Sequence, residues 1–253
     1  MDRFGSSDGL LLAIPVFNEE RYVDRVLAEV RRFVDSILVI DDGSTDRTPR
    51  LLAGHGDIRV ITHAENRGYG KSLADAFAFA ERREYRWLIT MDCDEQHKPS
   101  YIPQFADAAA ADAADIISGT RYGDGYSCDA SVPPDRREIN RRITAMLNRR
   151  LGLNVTDAFC GFKAYRVSAL RRLEITVPGY AMPMQLWVQA ARAGLRVVEL
   201  PVRLIYHDPT RHFGGMLDDP ALRLAHYVDV FEAEVAKGRE MPLPVHAPCA
   251  PCR

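Results

Sequence analysis

Trp87-Leu88-Ile89-Thr90-Met91-Asp92-Cys93-Asp94-Glu95-Gln96-His97 is the stretch on which the reading of this chain turns. Its first half is apolar and β-prone and reads as a buried strand, Trp87–Met91. Its second half begins with carboxylates at i and i+2, which an extended segment leaves on one side. Gln96 repeats that spacing with a neutral oxygen. Hard oxygens converging at a strand's C-terminal end suit Mg²⁺ or Mn²⁺, and such a cation can hold a diphosphate. The competing reading is an acidic turn ahead of a helix begun by Ser100.

Outward from this strand the first half alternates strand and helix. Strands are expected at Leu10–Val16, Ile37–Ile40, Ile58–Ile61 and Ile116–Ser118, with helices at Glu19–Phe33, Ser72–Glu84 and Pro103–Ala114. That rhythm implies an α/β fold with a parallel, doubly wound sheet. Ligands of such sheets bind beyond the strands' C-terminal ends, and there the polar motifs fall. The second half is less regular. Tyr122 to Asp135 reads as a mobile loop rich in Gly, Asp, Ser and Pro. Helices are expected at Arg136–Leu151, Met184–Ala193 and Pro220–Lys237, and strands at Phe162–Arg166 and Leu195–Val202.

Composition narrows the class. Across 253 residues, 33 basic and 35 acidic side chains nearly cancel, which argues against a nucleic-acid partner. No segment approaches the ~18 apolar residues of a membrane span. Leu10 to Phe17 is broken by Pro15 and lacks the flanks of a signal peptide. Five scattered cysteines suggest a reducing cytoplasm. Cys249-Ala250-Pro251-Cys252 has redox or zinc spacing but no second pair, and reads as part of a tail.

Each remaining motif admits two readings. In Pro15-Val16-Phe17-Asn18-Glu19-Glu20, Asn18 is either a helix N-cap or a contact to a base or ribose. Asp41-Asp42-Gly43-Ser44-Thr45-Asp46 is either a glycine turn before a helix or a carboxylate pair accepting base N–H or ribose hydroxyl groups. Adjacent acids at a buried strand end are costly without partners. Asn66-Arg67-Gly68-Tyr69-Gly70-Lys71 lacks the third glycine of a dinucleotide fingerprint, but could carry Arg67 and Lys71 toward phosphates.

In order and spacing these motifs resemble glycosyltransferase family 2, the inverting nucleotide-sugar transferases of GT-A fold. The branch they look most like is that of the dolichyl- or polyprenyl-phosphate mannose synthases. Further matches are Ser118–Tyr122 (S-G-T-R-Y), Thr156–Arg166 (T-D-A-F-C-G-F-K-A-Y-R) and Val197–Pro201 (V-V-E-L-P). The resemblance implies one domain over 1–237, with a nucleotide-sugar half at 10–118, an acceptor half at 119–237 and a tail at 238–253. It implies a donor pocket of Pro15, Phe17, Glu19, Asp41 and Asp42, with Lys71, Arg137 and Arg211 toward phosphates. It implies a Mg²⁺ or Mn²⁺ site at Asp92, Asp94 and Gln96. Asp94, Arg121 and Asp157 would carry the chemistry, Arg121 at the acceptor phosphate and Asp157 on the acceptor wall.

The implied donor is GDP-mannose or a UDP-hexose, and the implied acceptor a polyprenyl phosphate, reached from the cytoplasm by peripheral membrane contact. Three departures stand out. Phe17 replaces the family's usual Tyr. Gln185 stands where an acid is common. A late Arg-x-x-Gly-x-Ser-Lys segment survives only as Arg211-His212-Phe213-Gly214-Gly215. A hydroxyl acceptor needs a general base, whereas a phosphate monoester is already an anion and needs cationic docking. Gln185 cannot be a base, and Arg136, Arg137, Arg141, Arg142, Arg149 and Arg150 supply cation. Together these favour a phosphate acceptor. Against that, the arginines could be a solvated face with local Glu partners, and Asp157 remains available as a base for a hydroxyl.

Overall fold

A computed structural model describes residues 9–122, 132–203 and 214–238. Strand β1 (Leu10–Val16) runs through the middle of a sheet of seven strands ordered β3-β2-β1-β4-β6-β5-β7. The others are β2 (Ile37–Asp41), β3 (Arg59–Thr62), β4 (Trp87–Thr90), β5 (Ile116–Thr120), β6 (Lys163–Arg166) and β7 (Val197–Pro201). Between them lie α1 (Val23–Val30), α2 (Thr48–Leu52), α3 (Tyr69–Arg82), α4 (Ile102–Ala110), α5 (Pro134–Leu151), α6 (Val167–Leu170), α7 (Met182–Arg192) and α8 (Pro220–Lys237). Among these residues no helix is long and apolar enough to cross a membrane.

The apolar run of β1 follows from burial on both faces. Leu12, Ile14 and Val16 pack with Val23, Leu27 and Val30 of α1 and Phe105 of α4. Leu11 and Ala13 face the other way, onto Leu73, Ala76 and Ala80 of α3. A third cluster joins α5, α7 and α8, where Ile139, Ile143 and Leu147 repeat every four residues against Met184, Trp187 and Phe231.

The expected rhythm holds in the first half, with shifted helix starts. Helix α1 begins at Val23 rather than Glu19, because Asn18 is left-handed at φ 58° and the next residues are spent tying loops together. Helix α3 begins at Tyr69 rather than Ser72. Gly68, at φ 97°, supplies the turn that lets it start inside the motif. The sheet is not wholly parallel. Strand β6 runs antiparallel to both neighbours, pairing Leu88 with Tyr165 and Ile117 with Ala164. The expected loop at 122–135 falls largely, and the tail after 238 wholly, outside the described residues.

Candidate active site

A cavity of about 940 Å³ opens beyond the C-terminal ends of β1, β2 and β4. There the strand order reverses, the usual ligand position of such a sheet. Pro15, Phe17, Glu19, Asp42, Asp92, Asp94, Gln96 and Arg121 all line it.

One wall of the cavity is two loops laced together by Asn18. Its Oδ1 accepts from the backbone N–H of Thr45 at 2.8 Å and of Asp46 at 3.3 Å, and its own N–H donates to Ser44 Oγ at 2.9 Å. Asn18 is thus not the cap of α1 but the tie between the first two motifs, and it also lines the cavity. The N–H of Glu19 donates to Thr48 Oγ1 at 2.9 Å and completes the seam. Phe17 is left 42% exposed on the rim. The adjacent acids divide their work, since consecutive strand residues point oppositely. Asp42 lines the cavity, whereas Asp41 turns away and accepts from Ser44 N–H at 3.0 Å. Asp41 is therefore removed from the expected pocket.

The third motif contributes backbone, not cations. The N–H groups of Arg67 and Gly68 each donate to Asp42 at 2.8 Å. Lys71, in the first turn of α3, sends its ammonium along the helix to Asp75 and does not line the cavity. Where a phosphate contact is expected of it, the structure pairs it with Asp75 instead.

After β4 the chain turns at Glu95, which is left-handed at φ 58° and reaches out to Arg25 at 2.7 Å. That turn keeps Asp94 and Gln96 on the cavity, with Gln96 N–H donating to Asp94 Oδ1 at 3.1 Å. Asp92 lies against Gly161, where an added Cβ would stand 2.4 Å from its Oδ2. Among the described residues no three His, Cys, Asp or Glu side chains gather as a metal cluster. Two carboxylates and an amide oxygen suit a hard cation that takes its remaining ligands from a diphosphate and water.

On the opposite wall Arg121 is held by a fork. Its Nε and Nη2 donate to Asp157 at 2.6 and 2.8 Å. Asp157 is fully buried and also accepts from Asn140 Nδ2 at 3.0 Å and from the N–H of Arg121 and Phe159, each at 3.1 Å. Burial opposes its ionisation, but the Arg121 guanidinium outweighs it and brings the carboxyl down to about 2. A carboxylate so saturated and so acidic does not collect a proton at neutral pH. Asp157 anchors Arg121 and does not itself line the cavity, which weighs against the alternative left open for it.

Residues 12–174 match the profile described as Glycosyl transferase family 2. The chain belongs to glycosyl transferase family 2. Its relatives include the undecaprenyl-phosphate mannosyltransferase of Micrococcus luteus, 27% identical over 86% of this chain and 93% of that one. The dolichyl-phosphate hexose transferase of Haloferax volcanii is 30% identical over 77% of this chain and 82% of its own length. Among solved structures, glucosyl-3-phosphoglycerate synthase of Mycobacterium tuberculosis, in complex with Mn²⁺, UDP and glucosyl-3-phosphoglycerate, superposes with a TM-score of 0.68. It covers 94% of this chain and 82% of that one at 20% identity. Mannosyl-3-phosphoglycerate synthase of Rubrobacter xylanophilus gives 0.69 at 15% identity, over 96% and 78%. At these identities the likeness is one of fold, and that fold is GT-A.

Within this family 2 chain the other departures resolve as follows. Gln185 is buried on α7 and does not line the cavity. Its Oε1 accepts from the N–H of Thr176 and Val177 at 2.7 and 2.9 Å, and its Nε2 donates to Glu234 at 2.9 Å. It staples a loop, so its lack of charge is silent about the acceptor. Arg137 is exposed and outside the cavity, while Arg136, about 100° around the helix, lines it. Arg141 and Arg142 pair with Glu138, and Arg150 with Glu232, so most of this helix's charge is met locally. Arg211 lies outside the described residues.

Sequence reasoning alone misses Arg223, buried on α8 yet lining the cavity, whose Nη1 donates to the Leu217 carbonyl at 2.7 Å. It also gives no role to Tyr69 and Tyr180, which stack across the cavity edge with centroids 5.8 Å apart. Tyr69 at least stands inside the third motif. Nothing in the sequence around Arg223 separates it from other helical arginines.

Proposed function

We propose that this protein transfers a hexose, with inversion, from a nucleoside diphosphate sugar to a polyprenyl phosphate. The observation that carries the reading is the chemical asymmetry of the cavity. The wall opposite the donor loops presents Arg121 and Arg136, with Arg223 paired to Asp135, and, among the described lining residues, no Asp or Glu. Such a wall docks an anionic acceptor and offers no general base, which a phosphate monoester does not need. The names of the relatives point the same way.

In this reading Phe17 stacks on the base and Asp42 accepts one of its N–H groups. Mg²⁺ or Mn²⁺ held by Asp92, Asp94 and Gln96 would offset charge on the departing diphosphate. Arg121, preset by Asp157, holds the acceptor phosphate on the far side of the sugar. An acceptor oxygen bonds to the anomeric carbon as the bond to the diphosphate breaks, and the electron pair leaves with the nucleotide. No proton has to move, so positioning is the main contribution of the protein. A lipid acceptor places the enzyme at the cytoplasmic face of a membrane, held peripherally.

The test pairs labelled GDP-mannose and UDP-glucose with polyprenyl phosphate, the matching polyprenol and water-soluble hydroxyl acceptors. Turnover of the lipid phosphate alone is expected. Transfer to polyprenol or to a soluble hydroxyl with none to the lipid phosphate overturns the reading.

Two substitutions probe the donor side. Phe17→Ala is expected to weaken nucleotide binding about tenfold, since base–aromatic stacking is worth about 1–3 kcal/mol, while Phe17→Tyr retains it. Unchanged affinity in calorimetry would remove the stacking role. Gly161→Ala drives a methyl into the Asp92 carboxylate. It is expected to weaken Mn²⁺-dependent binding of the nucleoside diphosphate about tenfold or more, with a smaller loss of metal-free binding. Equal losses with and without Mn²⁺ would detach Asp92 from the cation.

A further inference from the structure

His63 follows β3 and is buried between two carboxylates from different elements. Its Nδ1 lies 2.6 Å from Asp42 Oδ1, at the exit of β2. Its Nε2 lies 2.9 Å from Asp75 Oδ2, on α3. Asp75 also receives the Lys71 ammonium. Burial works against ionisation of Asp75, but Lys71 and His63 outweigh it and hold the group below the usual carboxylate range. Of these four side chains Asp42 alone lines the cavity.

The bonds on Asp42 show what the histidine contributes. Its Oδ1 faces His63 and takes the Arg67 N–H, and its Oδ2 takes the Gly68 N–H at 2.8 Å. A carboxylate has about four acceptor positions, so one, on Oδ2, stays open. The backbone donors fix one edge of the group, and the imidazole fixes its rotation. A buried imidazole needs a partner at each of its two ring nitrogens. This one spans two carboxylates, one belonging to the donor cavity.

We propose that His63 is a positioning residue of the donor site. It holds the Asp42 carboxylate so that its one open lone pair faces the ring N–H of a uracil or guanine, and thereby sets nucleotide affinity without touching the nucleotide. This rests on the reading of Asp42 as the base acceptor. It also explains the relay from His63 through Asp75 to Lys71, in which Lys71 anchors the far end of the histidine's support.

The test measures UDP and GDP binding by calorimetry with Mn²⁺ in three variants. In His63→Asn the amide nitrogen replaces Nδ1 and keeps the link to Asp42. In His63→Gln it reaches the Nε2 position and keeps only the link to Asp75. The Asn variant is expected to bind the preferred nucleotide within about threefold of wild type, and the Gln variant to lose about tenfold or more. In both, kcat at saturating donor stays near wild type. Equal losses in the two variants, tracking their melting temperatures, would reduce His63 to a structural role and overturn the proposal.

Asp42→Asn separates this failure from a deeper one. If it loses affinity while His63→Gln does not, only the role of His63 falls. If it binds like wild type, the assignment of Asp42 falls too. In the wild type, an imidazole nitrogen NMR spectrum should show a hydrogen on Nδ1, and a bare Nδ1 overturns the proposal without any variant.

Discussion

Asp94→Asn is expected to lower kcat/KM for transfer by about three orders of magnitude with little change in melting temperature, a loss of ~4 kcal/mol in transition-state stabilisation. The amide keeps an oxygen in place but removes one of the charges that would hold a divalent cation, and with it the counter-charge for the leaving diphosphate. The fold should be spared. Asp94 is partly exposed, and its bond from Gln96 N–H can pass to the amide oxygen. Steady-state transfer with Mn²⁺ and with excess chelator, beside a thermal melt, decides the matter. Full activity in the variant, or in chelated wild type, removes the metal from the mechanism.

Asp157→Ala is expected to cost about 3–5 kcal/mol of stability, because it leaves the Arg121 guanidinium without its counter-ion in a buried place. At about 2–4 °C per kcal/mol for a chain of this size, the melting temperature should fall by roughly 10 °C. The same pair gives stability an acid limb. A carboxyl whose folded value lies below its ordinary 3.8, here at about 2, contributes fully above the ordinary value. That contribution is lost as pH falls toward the lower one. Asp157→Asn should therefore flatten the loss of stability between about pH 4 and pH 2. Denaturant titrations across that window measure both effects. A melting temperature near wild type for Asp157→Ala would mean that Arg121 rehydrates through the cavity and that the pair is not structural.

What the sequence discloses is what local geometry determines. Pro15, Phe17, Asp42, Asp92, Asp94 and Arg121 all lie within a few residues of a strand's end, so the alternation of a strand and the position of its exit are enough to bring them to one cavity. Roles that depend on partners elsewhere are hidden. Asp157 reads as a base because its neutralising arginine lies 36 residues earlier. Lys71 reads as a phosphate ligand as long as its motif is taken alone, because its partner Asp75 lies one helical turn beyond.

The choice between Arg136 and Arg137 hangs on helix phase, which a run of arginines does not disclose. Gln185 bears on the acceptor only if its position faces substrate. In fact it meets Thr176 and Glu234. The direction of β6 is equally invisible, since the pattern of side chains along a strand sets which face each takes and not which way the strand runs.

That antiparallel strand has a consequence for how the molecule is made. Residues 163–166 wedge between β4 and β5, which are otherwise not neighbours. While the ribosome has issued only the first half, β4 presents a bare, apolar hydrogen-bonding edge, and β5 has no partner on either side. The motifs that line the cavity are synthesised early, yet the sheet that carries them is completed only when a segment encoded some 70 residues later arrives. Long sequence separation of this kind slows folding and prolongs exposure of a sticky edge. Residues 163–166 thus cover, late in synthesis, a strand edge that the first half leaves open.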